Sequence, residues 1–155
     1  MVYNKMKENL PGTIFFMQKP LENKNYFILR DLNNLKYISA DYYGEGELRA
    51  NRDSTGTWEY FYLFTNDDGT ISIQSRVNNK FLCCVFDNSS GKNPIISRSN
   101  HIQDWEKFYF EKLKENIIVI KTKNNGKYIK NEGTYIRATG ETFEDATKFE
   151  IKYLQ

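Results

Sequence analysis

Apolar and polar positions alternate along this chain over short runs, and no long stretch carries the i, i+3, i+4, i+7 spacing of an amphipathic helix. Phe27-x-Leu29, Phe61-x-Leu63 and Ile71-x-Ile73 have the period of two that marks a strand with one buried face. The runs are rich in Ile, Tyr, Phe and Thr, side chains that suit a pleated surface. Turn-forming pairs separate them: Asn33-Asn34, Asp68-Gly69, Asn78-Asn79 and Asn125-Gly126. Apolar runs are short: Ile14 to Met17 and Ile117 to Ile120 are four residues each, and Phe81 to Phe86 is six. A membrane-spanning helix needs about 20, so membrane insertion is not expected.

The pattern recurs three times. Lys36-Tyr37-Ile38, Lys80-Phe81-Leu82 and Lys127-Tyr128-Ile129 match one another. Eight and ten residues before each aromatic stand Leu29 and Phe27, Ile73 and Ile71, and Ile120 and Ile118. A second anchor is Phe61, Phe108 and Phe149, each preceded by thirteen residues by Leu48, Ile95 or Ile136. Each copy therefore carries four short apolar pieces in one order, which predicts an all-β chain of twelve short strands. One copy alone is too small to hide its apolar face, so the three must share a core. The repeats run over about 25–66, 67–114 and 115–155. Residues 1–24 form a lead-in in which Gly12 to Met17 reads as one extra strand packed on the barrel.

Three copies of four strands at this spacing resemble the β-trefoil, in which six strands close a barrel and six form hairpins that cap one end. Within trefoils the chain is most similar to the fascin-like family, on Asn79-Lys80-Phe81-Leu82, Gly126-Lys127-Tyr128-Ile129, Glu59-Tyr60-Phe61 and Glu106-Lys107-Phe108. The third copy departs with Thr147-Lys148-Phe149, and the first has Leu35 where the family favours glycine. Ricin-type lectins are trefoils too, but their Gln-x-Trp signature is absent from all three copies. The predicted fold is thus a β-trefoil with pseudo-threefold symmetry.

Charge narrows the function classes. Lysine and arginine total 22 against 20 acidic residues, and a net charge of +2 argues against nucleic acid as partner. The only cysteines are adjacent, Cys83 and Cys84, and neighbours in a strand point to opposite faces, so free thiols are expected. With one histidine, His101, no zinc ligand set can be assembled, and no metal or cofactor is expected. No nucleophile–base order and no phosphate-cradling glycine motif is present, so the reading is a non-enzymatic binding module. No signal peptide is visible, which implies a cytoplasmic protein or one secreted without a retained leader.

Candidate site residues lie where the copies differ. From the second-strand to the third-strand anchor the first copy spans 10 positions, the second 13 and the third 7. The first loop carries Asp41, Tyr42 and Tyr43, and the second carries Phe86, Asp87 and Asn88. An aromatic ring beside hydrogen-bonding groups suits a sugar: the ring packs on the C–H face, and the polar groups bind hydroxyls. Tyr60, Tyr62 and Tyr109 alternate with the core phenylalanines and are expected to face solvent as a second aromatic surface. Trp58 and Trp105 recur before the Glu-x-Phe pair and are expected to pack in hairpins. The expected partner is a glycan or glycoprotein. The fascin-like resemblance implies the alternative, actin or another protein, with a homodimer needed to crosslink filaments. A third reading is the receptor-binding component of a larger assembly.

Overall fold

Residues 26–154 are described by the structure, a computed structural model. The expected strand at Gly12 to Met17 lies outside the described residues. The first repeat supplies β1 (Phe27–Asp31), β2 (Tyr37–Ala40), β3 (Leu48–Arg52) and β4 (Phe61–Thr65). The second supplies β5 (Ile71–Ser75), β6 (Phe81–Cys84), β7 (Ile95–Ser99) and β8 (Phe108–Lys114). The third supplies β9 (Ile117–Thr122), β10 (Tyr128–Glu132), β11 (Tyr135–Gly140) and β12 (Phe149–Tyr153). All pairings between these strands are antiparallel.

Six strands form a closed ring. β1 pairs β4, β4 pairs β5, β5 pairs β8, β8 pairs β9, β9 pairs β12, and β12 returns to β1. Closure leaves the barrel no free edge. The hairpins β2–β3, β6–β7 and β10–β11 cap one end and touch around the pseudo-threefold axis through Glu47 opposite Ile96, Pro94 opposite Arg137, and Tyr135 opposite Arg49. Each hairpin pairs its large anchor with a small residue, Ile38 with Ala50, Leu82 with Ser97, and Ile129 with Ala138. A register shift follows the aromatic in every copy. The small partners let three hairpins converge without crowding.

The inward residues of all twelve strands make one core. Phe27, Phe61, Phe108 and Phe149 are fully buried in it, with Ile38, Leu82 and Ile129 from the hairpins. Both cysteines are buried and free. Burial pushes the Cys84 thiol up to about 12, so it stays protonated and packs as a small apolar side chain.

Repeated polar residues explain the motifs. Asn34, Asn78 and Asn125 each donate from Nδ2 to the backbone of the small third-strand residue, Ala50, Ser97 or Ala138. The Oδ1 of each accepts the N–H of Lys36, Lys80 or Lys127. The next residue takes a left-handed backbone in all copies: Leu35 at φ 61°, Asn79 at 58° and Gly126 at 71°. The first copy keeps the turn with a leucine in a conformation that suits glycine, which explains its departure from the motif. The glutamate of Glu-x-Phe is structural. Glu59 and Glu106 are buried, and each caps the turn before the fourth strand by accepting from the N–H of Gly56 or Gln103, at 2.8 Å in both. In the third copy Thr147 stands in their place and accepts from Asn131 N–H at 2.8 Å.

Candidate functional site

The long loop of the second repeat, between β6 and β7, is built around Asp87. Its Oδ1 accepts from the backbone and hydroxyl of Ser89 and from the backbone of Ser90, and its Oδ2 accepts from the Ser90 hydroxyl at 2.5 Å. The Asp87 N–H donates to Asn93 Oδ1, and Gly91 N–H donates to the Asp87 carbonyl. These serine hydrogen bonds hold the carboxyl at about 2. The Asp87 carboxylate, expected among the ligand contacts, is thus engaged mainly in shaping its own loop.

Phe86 and Asn88 flank that anchor and have no such task. The Phe86 ring is 39% exposed. Both residues line a cleft of about 590 Å³ whose far wall comes from the third repeat, with Asn124, Lys127, Thr139 and Glu141. The third repeat reaches the second here because each second-to-third-strand loop lies against the first hairpin of the following repeat. Asn93 and Asn125 stand at the floor, committed to Ala138 through their amides. Lys127 Nζ pairs with Glu141 Oε2 at 2.6 Å across the opening. Thr139 donates to Glu132 at 2.6 Å. Asn88 makes no hydrogen bond among the described residues, and Asn124 makes one long bond of 3.4 Å to the Cys84 carbonyl. Free amides, an ammonium and a carboxylate thus face a cleft with an aromatic ring at its lip.

The equivalent junction between the third and first repeats holds a cleft of about 700 Å³, lined by Asn33, Lys130, Asn131, Thr134, Asp145 and Lys148 among others, with no aromatic side chain. At the junction between the first and second repeats the loop closes on the hairpin instead. Gly44, at φ 88°, sits so near Asn78 that a Cβ would lie 2.3 Å from its Nδ2. No other residue fits there.

That contact throws the preceding residues outward. Tyr42 and Tyr43 are 68% and 70% exposed, at φ 54° and 57°. Two consecutive bulky residues in the left-handed region carry strain of roughly 1–2 kcal/mol each. The turn is held by Gly44 and Gly46 N–H donating to the Asp41 carbonyl and by Glu45 N–H donating to Tyr42. The Asp41 side chain lies beneath, buried, accepting from Asn51 and Arg52 at 3.2 Å each. Asp41 is thus a scaffold residue, and its expected place among the ligand contacts is corrected. Trp58, half-buried, meets the edge of Tyr43 at 5.0 Å between centroids, and the Arg52 guanidinium stands over its ring at 5.1 Å. Its counterpart Trp105 is exposed.

Tyr62 is a further correction. It is 3% exposed, covered by Tyr26 at 4.5 Å, to whose hydroxyl it donates at 2.6 Å. Burial and the Tyr26 hydroxyl raise its phenol above the ordinary range. Tyr60 stacks on the other side of Tyr26 at 5.4 Å and is half-buried. Tyr109, at the position of Tyr62 in the second repeat, is 37% exposed because Thr70, with a short side chain, stands where Tyr26 does. The candidate residues thus fall into two groups, Phe86 with Asn88 in a cleft and Tyr42 with Tyr43 on a convex turn. Trp58, Asn124, Lys127 and Glu141 complete them.

No family model matches the chain, and no curated protein matches its sequence. Solved structures do. The designed threefold-symmetric protein ThreeFoil superposes with a TM-score of 0.72, at 15% identity, over 81% of this chain and 96% of that one. The protein is a β-trefoil. SeviL, solved bound to the asialo-GM1 saccharide, superposes with a TM-score of 0.64 at 16% identity, over 83% of this trefoil and 96% of SeviL. The BEL β-trefoil does so at 0.65 and 17% identity, over 86% and 96%. At such identities the likeness carries the fold, and the subfamily resemblance stays an expectation.

Proposed function

We propose that this trefoil is a non-enzymatic carbohydrate-binding module whose sugar site is the cleft under Phe86. The observation that carries the reading is the exposed Phe86 ring at the lip of a cleft lined by the Asn88 and Asn124 amides and the Lys127–Glu141 ion pair. A pyranose offers an apolar C–H face and hydroxyls that both donate and accept, and this lining answers both. The likeness to SeviL, which was solved with a saccharide, supports the reading. The test is a glycan array probed with the full chain, followed by calorimetric titration of any hit. Phe86→Ala is expected to weaken binding about tenfold with the melting temperature unchanged, the scale of one lost ring contact. An empty array with folded protein, or a Phe86→Ala variant that binds as tightly, refutes it.

A second reading, docking to a protein such as the actin implied by the fascin-like resemblance, is favoured by one observation. Tyr42 and Tyr43 project from a convex turn with Trp58 behind them, an arrangement closer to a protein hot spot than to a sugar cleft. Binding to filaments lost in Tyr42→Ala with every glycan ignored would select it.

A further inference from the structure

We infer that the Phe86 cleft selects neutral sugars over their sialylated or sulfated counterparts; the inference rests on the glycan reading above. The argument is one of charge. Three carboxylates stand at or just behind the wall: Asp87, Glu141 and Glu132, the last reached through Thr139. One ammonium faces them, Lys127, and it is already paired with Glu141 at 2.6 Å. A hydroxyl can share that pair, accepting from Lys127 and donating to Glu141, without separating them. An anionic group drawn to Lys127 must sit beside the Glu141 carboxylate and meets its negative charge. Asp87 adds to the penalty, since its serine bonds keep it ionised at every physiological pH. The amides of Asn88 and Asn124 can both donate and accept, which matches hydroxyls and gives an anion no charge. Phe86 adds a flat apolar face, which an acidic substituent on the same sugar face would have to desolvate against.

The experiment is an array carrying neutral oligosaccharides beside the same cores capped with sialic acid or sulfate, probed with the wild-type chain, Glu141→Gln and Phe86→Ala. The neutral forms are expected to bind roughly two- to fivefold more tightly than the capped ones, the scale of one like-charge contact screened by water, since the Glu141 side chain is 71% exposed. Glu141→Gln frees Lys127 and should narrow that gap. Capped forms that bind the wild type as well as or better than neutral ones, with binding lost in Phe86→Ala, overturn the charge inference and leave the glycan reading standing. A folded protein that binds no glycan overturns both.

Discussion

Replacing Asp41 tests whether the exposed tyrosines are held out by a buried polar anchor. In Asp41→Ala, Asn51 Nδ2 loses its acceptor; its Oδ1 already lacks a donor, so the whole amide is stranded. Stranding a buried polar group costs about 1–3 kcal/mol. Arg52 loses its closest carboxylate and keeps only Glu59, 3.9 Å away. Its side chain is 40% exposed, so water screens the pair and the loss is about 0.5–1 kcal/mol. The expected destabilisation is therefore about 1.5–4 kcal/mol. That matches the strain of roughly 1–2 kcal/mol in each of Tyr42 and Tyr43, so the turn should relax as the anchor goes. Asp41→Asn keeps an acceptor for Asn51 and should cost about 1 kcal/mol. The assay is equilibrium urea unfolding, paired with amide exchange at Gly44, Glu45 and Gly46, whose N–H groups close the turn. A loss below about 0.5 kcal/mol for Asp41→Ala, with protection of those amides unchanged, refutes the reasoning.

Two other predictions concern the core and the second loop. Phe108→Ala empties a fully buried position facing Phe149 and Ile120 around a small dry void and should cost about 3–5 kcal/mol in urea unfolding; a loss under about 1 kcal/mol would mean that the shared core is wrongly drawn. Asp87 has a carboxyl held at about 2, below its unfolded value, so its contribution to loop order is full above about pH 4 and is lost as pH falls toward 2. Amide exchange at Ser89 and Ser90 should accelerate over that window while the β6–β7 strands stay protected, and acceleration already complete at pH 5 would contradict it.

The repeats made the twelve strands legible, because a period of two and fixed offsets from two anchors, Tyr37, Phe81 and Tyr128 and then Phe61, Phe108 and Phe149, locate most inward residues. Alternation shows which face of a strand a residue takes, but not what covers that face. Tyr62 and Tyr109 have the same parity; one is buried and the other exposed because their neighbours are Tyr26 and Thr70. Asp41 and Asp87 look like ligands in a loop sequence, yet Asp41 spends its carboxylate on Asn51 and Arg52 of β3 and Asp87 spends its own on its turn, a use that Ser89 and Ser90 could have signalled. The far wall of the cleft was invisible because Asn124, Lys127 and Glu141 lie a repeat away. Threefold register, which sets each loop against the next repeat's hairpin, is the signal that would have found them.

The ring of six strands also sets an order in time. Phe27 pairs with Tyr153, and Tyr26 receives a hydrogen bond from Leu154 N–H at 2.7 Å, so β1 finds one of its two barrel neighbours only in β12. A contact spanning nearly the whole chain must overcome a large loop-closure entropy and slows folding accordingly. On the ribosome β1 is made early and waits with one edge unpaired until β12 has emerged, so the closed barrel is a property of the finished chain.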